Sequence, residues 1–379
     1  MSLRQTGFYA PAAAAGAIFD EYAGFDLPYR FGPDILAEYW ACRRAAAVID
    51  LSPLRKIEIT GRDAGRLLQT LVTRDLDRLS DGQVVYTALC DEAGNVMDDG
   101  TVFRFGPDRF RWVGYQDEDE TWFRAHADRL GLDVTLQNST DLLHNIAVQG
   151  PRSRAVVAQL LEVADAGPKV SDLTWFRFTE GVLPGGPPVL LSRTGYSGEL
   201  GYEIWCHPDD GPAVWEAVFD AGSSVGVGPL GLDALDILRV EAGLVFKGYE
   251  YDGGQSPAEA GIGFVVTPGK RGDFVGKAAI ERRRQDAAEN FVGLAVDADE
   301  PLAGGDRLLD ATGHPVGVVT SGVLSPVLEK NIAFGRVQIS HSRAGTALVA
   351  ERAGEGGARA RVTAAAIPFY DPDKSRVRS

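Results

Sequence analysis

Two short segments of the sequence contain residues whose types and spacing could do chemistry. The first places Gly195, Gly198 and Gly201 three residues apart and adds Tyr196 and Glu203. Glycine lets a backbone turn sharply and approach a flat ligand closely. The tyrosine offers an aromatic face and the glutamate a carboxylate, which together can orient a ligand in a pocket. We therefore predict that this segment lines a pocket for a flat ligand.

The second segment is the carboxylate pair Asp98 and Asp99, which follows a turn at residues 91–95. A carboxylate beside a reacting nitrogen can hold or relay a proton and can stabilise positive charge. Because side chains alternate along a strand, only one of the two should face a pocket. Two acids this close also raise the pKa of the one that is buried. Such a pair is commonly a solvated hairpin end, so the pattern alone leaves both interpretations open.

The elements that must position these residues indicate an α+β protein. The spacing of apolar residues predicts helices at 34–47, 64–71, 153–161, 212–221 and 231–242. An extended segment is predicted at 48–51, directly after the first helix. Alternation predicts strands at 56–60, 110–114, 146–149 and 202–205, and a hairpin formed by 84–90 and 97–105.

Beyond residue 285 the sequence changes to short, strand-like runs separated by glycines, which predicts a C-terminal β-barrel. We therefore divide the chain into a catalytic region, residues 1–284, and a barrel domain, residues 285–379. The first region would hold two interleaved α+β subdomains, the hairpin subdomain near 52–140. Residues 371–379 are predicted to be a mobile tail.

The composition excludes several classes of function. With 53 acidic against 38 basic residues, the formal charge of −15 would repel phosphate backbones and anionic membrane surfaces, so no nucleic acid or membrane partner is expected. The three cysteines are widely spaced and the five histidines lie far apart, which predicts no disulfide framework and no metal site. We expect a cytoplasmic protein, because no signal peptide or membrane-spanning stretch is found.

Eight motifs follow one another along nearly the entire chain. They are Asp50, Tyr86, residues 95–99, residues 147–151, residues 196–203, residues 231–242, residues 274–277 and residues 320–326. No single motif is decisive, but their joint order resembles the aminomethyltransferase family, which includes the glycine cleavage T-protein and folate-dependent demethylases. The resemblance implies a ring-like arrangement of three domains around a central folate-binding hole, with a C-terminal β-barrel. It also implies an enzyme that moves a methylene or methyl group from a small donor to tetrahydrofolate.

The same resemblance assigns roles to individual residues. Asp98 matches the catalytic carboxylate near the folate nitrogens, and Asp99 is the alternative. The residues implied to bind tetrahydrofolate are Tyr86, Asp98, Tyr196, Glu203 and Arg239. Glu203 would accept paired N–H donors from the edge of the pterin. The planar fork of Arg239 suits a carboxylate, either a protein acid or the glutamate tail of the cofactor.

Three positions depart from the T-protein pattern, and all lie where the donor is expected. The residues after Asp50 read Leu51 and Ser52 instead of the family's Ser-His-Met, Tyr115 replaces an asparagine, and Lys247 replaces a tyrosine. We therefore expect the donor site to involve Tyr115, Lys247 and Asp99, and the lysine and tyrosine could recognise an anionic group.

The donor itself has several candidates. It could be a methylated amine, a sulfonium or an aryl ether, in place of the aminomethyl-lipoyl arm of a carrier protein, which stays a possible partner. A folate-binding regulatory protein without catalysis is the second alternative.

Overall fold

The computed structural model describes residues 2–163, 168–354 and 357–379. In these ranges the helices are α1 (Tyr9–Ala14), α2 (Ile35–Arg44), α3 (Ala64–Leu71), α4 (Glu118–Leu130), α5 (Ser153–Val157), α6 (Gly211–Gly222), α7 (Leu232–Glu241), α8 (Lys277–Gln285) and α9 (Ser375–Arg378).

The strands of the first three sheets precede α8. They are β1 (Ala17–Tyr22), β2 (Phe25–Phe31), β3 (Ala46–Asp50), β4 (Arg55–Thr60), β5 (Gln83–Cys90), β6 (Val96–Gly106), β7 (Arg109–Gly114), β8 (Thr135–Asn138), β9 (His144–Gln149), β10 (Glu162–Val163), β11 (Phe178–Val182), β12 (Pro188–Ser192), β13 (Gly201–Cys206) and β14 (Val227–Pro229). The strands of the fourth are β15 (Glu289–Asp297), β16 (Arg307–Leu309), β17 (Pro315–Ser325), β18 (Lys330–Gln338), β19 (Ala347–Glu351) and β20 (Arg359–Ala365).

A five-stranded sheet with the order β5-β6-β7-β4-β8 contains the carboxylate pair. Ile57 and Ile59 of β4 face a core that α3 and α4 cover with Leu67 and Phe123. The predicted hairpin is present as β5 and β6, and its register sets Ala88 opposite Asp99.

A seven-stranded sheet with the order β10-β11-β12-β13-β9-β3-β14 contains Glu203. Along β13, Tyr202 and Ile204 face a core with α5 and α6. Because side chains alternate along a strand, Glu203 and Trp205 point to the opposite face of this sheet. A separate hairpin, β1 and β2, lies at the N-terminus.

The last six strands close into a barrel with the order β15-β18-β17-β16-β19-β20. Every strand contributes to its interior, through Leu294, Leu308, Val319, Ala333, Leu348 and Val362. Closure pairs every strand edge, so the barrel leaves no open edge of the sheet.

The five-stranded sheet, the seven-stranded sheet and the barrel, each with its helices, are three bodies. Three apolar clusters join them in pairs. Phe103 of the five-stranded sheet packs with Trp205 of the seven-stranded sheet, at 5.4 Å between ring centroids. Ala88 shares a second cluster with Phe334 of the barrel. Ala147 of the seven-stranded sheet shares a third cluster with α7, and Val327 of the barrel domain packs against this cluster. Since each of the three bodies contacts the other two, they form a ring, and the predicted α+β fold with its C-terminal barrel is confirmed.

Two local predictions are wrong. The helix predicted at 34–47 ends at Arg44, because residues 46–50 form β3 and pair with β9 and β14. The C-terminal residues are docked: the Tyr370 hydroxyl donates to Glu199 Oε1 at 2.7 Å, and Arg376 donates to Glu199 Oε2 at 3.3 Å. These hydrogen bonds stabilise the buried Glu199 carboxylate and hold the C-terminal residues in place. The prediction of a mobile tail at 371–379 is therefore wrong.

Candidate functional site

The two aspartates of the pair point to opposite sides of β6, as alternation along a strand requires. Asp98 is fully buried and Asp99 is half-buried. Each side brings its aspartate together with a different set of the predicted site residues.

Asp99 faces the predicted folate-binding aromatic residues. The Tyr86 hydroxyl donates to Asp99 Oδ2 at 2.6 Å, and the Tyr251 hydroxyl donates to Asp99 Oδ1. Tyr86 and Tyr251 pack in one cluster with Val245, and the Tyr196 hydroxyl donates to the Val245 carbonyl. Tyr86, Tyr196 and Asp99 are therefore brought together on one side of β6.

Opposing contacts set the protonation of Asp99. Burial raises the pKa of its carboxyl to about 6, and the charge of Asp98 adds to the rise. The hydroxyls of Tyr251 and Tyr86 oppose it by donating to the ionised form. The result is an acid whose proton can come and go near neutral pH, which suits a general acid–base role.

Asp98 faces the end of β7 and the start of α4. Its Oδ2 accepts hydrogen bonds from the backbone amides of Tyr115, at 2.7 Å, and Gln116, at 3.1 Å. Burial raises the pKa of Asp98, and these amides oppose the rise by favouring its charged form. A second buried carboxyl, Asp119, lies within hydrogen-bonding range of it. Asp98 forms no hydrogen bond with Tyr86 or Tyr196, so of the two aspartates Asp99 is the one that lies with the aromatic residues predicted to bind folate.

Glu203 lies between the two large sheets. Its Oε2 accepts a hydrogen bond from Asn145 Nδ2 at 3.2 Å. Burial raises the pKa of Glu203 to about 7, against the opposing effects of Thr194, Lys56 and Asn145. Burial likewise lowers the pKa of Lys56 to about 7, although Asp50 and Glu203 favour its charged form. The Lys56 ammonium donates to the Ser52 carbonyl at 2.7 Å, so Glu203 keeps acceptor capacity for a ligand.

The glycines of the Tyr196 segment have a structural reason that the sequence did not show. A side chain at Gly195 or Gly201 would overlap the side chain of Gln149, which the segment encloses. Ser197 Oγ donates to Gln149 Oε1 at 2.7 Å. The small residues therefore let the segment close over Gln149 of β9, and this closure fixes the position of Tyr196.

Arg239 is fully buried and its donors are engaged by protein acceptors. It donates to Asp236 Oδ1 at 2.8 Å, to Glu250 Oε2 at 2.7 Å and to Ser321 Oγ at 2.9 Å. Of the two partners considered for its fork, the structure shows protein acids. Arg239 thereby links α7 to β17 of the barrel, and a direct contact with folate stays a prediction.

Of the three residues predicted for the donor site, Asp99 belongs to β6, and Tyr115 and Lys247 lie beside that strand. The Tyr115 ring packs edge-on against Tyr22, at 5.9 Å between centroids, and against Phe246, at 6.0 Å. The Lys247 ammonium donates to the carbonyl of Met97, so it is engaged by the backbone next to the carboxylate pair. An aromatic cluster of Tyr22, Tyr115 and Phe246 therefore borders the Asp98 side.

Sequence reasoning missed four residues of this site. Tyr22 belongs to the β1–β2 hairpin, for which no strand was predicted, and Phe246 and Tyr251 lie outside regular elements. Asp119 stands in the acidic first turn of α4, where acidic residues are ordinarily explained by the helix N-terminus. The available signal was its position four residues before the apolar Phe123, which places both side chains on the buried face of α4.

The remaining features concern metals and membranes. Within the described residues, no group of three or more His, Cys, Asp or Glu side chains could hold a metal ion. In the same residues, no helix has the length and apolar character to cross a bilayer.

Comparison with known domains accounts for almost the whole chain. Residues 8–270 match the GCVT N-terminal domain, and residues 290–371 match the glycine cleavage T-protein C-terminal barrel domain. The chain belongs to the glycine cleavage T-protein family. The resemblance to this family that was drawn from the motifs is thereby confirmed.

Individual members of the T-protein family show the extent of the similarity. A trimethylamine-oxide aldolase of Ruegeria pomeroyi is 46% identical over 99% of this chain, but the match covers 48% of that relative. The chain thus spans about half the length of that protein. An aminomethyltransferase of Halalkalibacterium halodurans is 37% identical, with 92% of this chain and 93% of the relative covered.

A solved structure of the family supports the architecture. The crystal structure of glycine cleavage system aminomethyltransferase T from Bartonella henselae has a TM-score of 0.87 to this chain at 27% identity. The match covers 98% of this chain and 99% of the other. The similarity therefore includes the barrel and both large sheets, and the arrangement of the three bodies is that of the family.

Proposed function

We propose that this protein binds tetrahydrofolate and transfers a one-carbon unit to it from a small donor. The observation that supports this most is Asp99: a half-buried carboxylate held by the hydroxyls of Tyr86 and Tyr251, where the five-stranded sheet meets the barrel. Its pKa, raised to about 6, allows it to exchange a proton near neutral pH.

The residues around Glu203 fit the polar edge of a pterin. Glu203 is buried with free acceptor capacity, and Asn145 Oδ1 is a buried acceptor without a partner among the described residues. Two acceptors side by side suit the paired N–H donors of an aminopyrimidinone ring. A buried acceptor without a donor is costly, so a ligand that supplies the donors is favoured. Tetrahydrofolate, when bound, supplies the nucleophilic nitrogens that receive the carbon.

The chain's own residues would then divide the work. Glu203 and Asn145 orient the ring, and Tyr86 and Tyr196 provide aromatic surface beside it. Asp99 holds or accepts a proton at the nitrogen of the one-carbon donor. Because Asp99 sits in a largely buried site, its charge acts on developing positive charge more strongly than it would in water. We assign the catalytic role to the carboxylate of Asp99. Asp98, which the motifs indicated as the catalytic carboxylate, is then a neighbouring acid that influences Asp99.

Paired substitutions test this assignment. We expect Asp99→Asn to lower the transfer rate ~100-fold or more while tetrahydrofolate affinity changes little, and Asp98→Asn to have the smaller effect on the rate. Calorimetry with tetrahydrofolate measures binding, and single-turnover transfer measures the rate. Asp108→Asn, an exposed acid between β6 and β7, is the matched control. The opposite ranking of the two variants would return the catalytic role to Asp98, and no binding of tetrahydrofolate by the wild type would overturn the proposed function.

We propose a methylated small molecule as the donor. Two features support this: the trimethylamine-oxide aldolase is a close relative, and Tyr115 stands in an aromatic cluster where T-proteins have asparagine. The aminomethyltransferase relatives favour a second candidate, the aminomethyl-lipoyl arm of a carrier protein. Lys247 is engaged by the Met97 carbonyl, so recognition of an anionic donor group is not part of the proposal.

Purified protein with tetrahydrofolate decides between the donors. The assay would compare a methylated amine, its N-oxide, a sulfonium and an aryl methyl ether with the lipoyl carrier. We expect transfer from one of the small molecules. Activity with the carrier alone would overturn the small-donor proposal, and folate binding without transfer from any donor would support the regulatory alternative.

Two further expectations are kept as proposals. We place the boundary of the folate-binding region at residue 284, because α8 ends at Gln285 and the first barrel strand begins at Glu289. Limited proteolysis should cut first in this connection, and resistance there would argue against the boundary. A cytoplasmic location is consistent with three free, buried cysteines, since reducing compartments keep thiols unpaired.

A further inference from the structure

We propose that Asp119 is a positioning residue that remains protonated and donates a hydrogen bond to the ionised Asp98, forming a one-proton carboxyl pair behind Asp99. The pair would hold the backbone that presents Tyr115 and would limit the negative charge next to Asp99. Its effect on transfer rests on the proposed function, whereas the sharing of the proton does not.

The geometry of the pair leaves one oxygen of Asp98 without a donor from the amides that hold the other. Asp98 and Asp119 are 0% and 1% exposed. Asp98 Oδ2 accepts the amides of Tyr115 and Gln116, while Asp98 Oδ1 has no amide, hydroxyl or cationic donor among the described residues. Asp119 Oδ2 accepts the indole N–H of Trp112 at 2.7 Å. The two carboxyl groups lie close together, because the position of a Cβ on Gly114 would be 2.6 Å from Asp98 Oδ2 and 2.5 Å from Trp112 Nε1, the donor to Asp119.

Two ionised carboxylates have no hydrogen to share, so a hydrogen bond between them requires one proton. Both groups are buried, and two adjacent charges without water would repel strongly. A shared proton leaves the pair with one negative charge and satisfies Asp98 Oδ1.

The contacts decide which carboxyl keeps the proton. Asp98 receives two amide donors, and the Asp119 carboxyl receives the single indole donor. Donors to a carboxylate favour its ionised form, so Asp98 is the better anion. Burial and the charge of Asp98 raise the pKa of Asp119 well above its ordinary value.

The charged and titratable groups around the pair come from several elements. Lys247 favours the ionised form of both acids, Asp99 lies across β6, and the phenols of Tyr22 and Tyr115 lie on the Asp98 side. The charge of Asp98 already raises the pKa of Asp99. A second negative charge on Asp119 would raise it further, so the proton on Asp119 keeps Asp99 able to ionise near neutral pH.

Infrared spectroscopy tests the proton directly. A protonated carboxyl absorbs as a carbonyl, separately from the bands of a carboxylate. We expect the difference spectrum between wild type and Asp119→Asn at neutral pH to show the loss of one buried acid carbonyl band. Asp128→Asn, an exposed acid on the same helix, should show the loss of carboxylate bands only. If the difference spectrum shows that Asp119→Asn has lost carboxylate bands instead of an acid carbonyl band, the proposal is overturned.

Kinetics test the positioning role. Asp119→Asn keeps an N–H donor for Asp98 and an acceptor for Trp112, so we expect a transfer rate within severalfold of wild type. In the wild type, ionisation of Asp119 at alkaline pH should lower the rate, and we expect this loss to be absent in Asp119→Asn. Asp119→Ala lacks both contacts, and we expect its kcat to fall ~10-fold or more while the Kd for tetrahydrofolate stays within about threefold.

The outcomes separate the two proposals. Wild-type kcat and an unchanged pH profile in Asp119→Ala would overturn the positioning role. If Asp119→Ala does not fold, the infrared spectrum and pH profile of Asp119→Asn decide. A wild type that neither binds folate nor transfers carbon would overturn the proposed function, and the infrared result would still stand or fall by itself.

Discussion

At the scale of single residues, the acidity of Asp99 depends on two tyrosine hydroxyls that come from different parts of the chain. Tyr86 belongs to the hairpin strand β5, and Tyr251 follows α7 by ten residues. Hydrogen bonds to the charged form lower the pKa of a carboxyl, whereas burial and the nearby Asp98 raise it. Removal of one of these hydroxyls should therefore change the pKa of Asp99.

We predict that Tyr251→Phe moves the acid limb of the pH–rate profile to higher pH. Loss of one hydrogen bond of about 1 kcal/mol corresponds to a rise of roughly one unit in the pKa of Asp99. Since the ionised form would be the active base, the rate at neutral pH should fall. The profile of kcat/KM from pH 5 to 9 measures this, with Tyr9→Phe as the control far from the site. An unmoved acid limb would show that Asp99 is not the titrating group.

Glu203 makes a second prediction about pH. Because the pKa of Glu203 is raised to about 7 by burial, and because the ionised form accepts N–H donors best, tetrahydrofolate affinity should weaken as the pH falls below 7. We expect Glu203→Gln to reduce affinity about tenfold or more at pH 8 and to remove most of the pH dependence. Calorimetry between pH 6 and 8 tests this. Glu180→Gln, on the exposed face of β11, should bind as wild type does; equal affinity in Glu203→Gln would contradict the ring contact.

At the scale of elements, the site depends on how closely β6 and β7 approach. A Cβ on Gly114, the last residue of β7, would lie 2.6 Å from Asp98 Oδ2 and 2.5 Å from Trp112 Nε1. Both atoms belong to the network that reaches Asp119. The absence of a side chain at this position therefore allows the strand end to turn around the Asp98 carboxylate.

We predict that Gly114→Ala destabilises the fold by about 1–3 kcal/mol, as overpacking of a filled core does, and lowers the transfer rate more than folate affinity. Denaturant unfolding and single-turnover kinetics would measure the two effects. Gly106→Ala at the far end of β6, where the nearest atom is 3.7 Å from the added Cβ, is the matched control. Wild-type stability in Gly114→Ala would show that the loop relaxes without cost.

The elements also show where sequence patterns sufficed. The hairpin of β5 and β6 followed from alternation and a turn, and the same alternation correctly separated Asp98 from Asp99. Which aspartate lies beside the predicted folate-binding residues did not follow, because that depends on Tyr251 and Tyr196, which are distant in sequence. The end of α2 was predicted three residues too late, and the strand after it was expected at 48–51, because residues 46–50 pair with β9 and β14 and a local pattern does not record pairing.

At the scale of the whole molecule, a buried ion pair lies where α7 meets the barrel. Arg239 of α7 contacts Glu250, and Ser321 of the barrel donates to the same Glu250 carboxylate. Removing one partner of a buried pair leaves the other charge without compensation. The arginine is thus placed to hold the barrel against the folate-binding region.

We predict that Arg239→Met lowers the free energy of unfolding by about 3–5 kcal/mol and lowers folate affinity only through this loss of structure. Denaturant titration, with folate binding measured well below the transition, separates the two effects. Arg282→Met on the exposed side of α8 is the control. Normal stability with a large loss of folate affinity would instead indicate a direct contact with the cofactor.

The sequence by itself determined the family, the α+β class and the barrel, because ordered motifs and local alternation are properties of the chain. Only the tertiary structure decided that Asp99 faces Tyr86 and Tyr251, that Arg239 binds protein acids, and that Asp98 accepts the amide of Tyr115. The physical reason is that burial and contact between distant segments set the charge and partners of an acid, and neither is written in its neighbours along the chain.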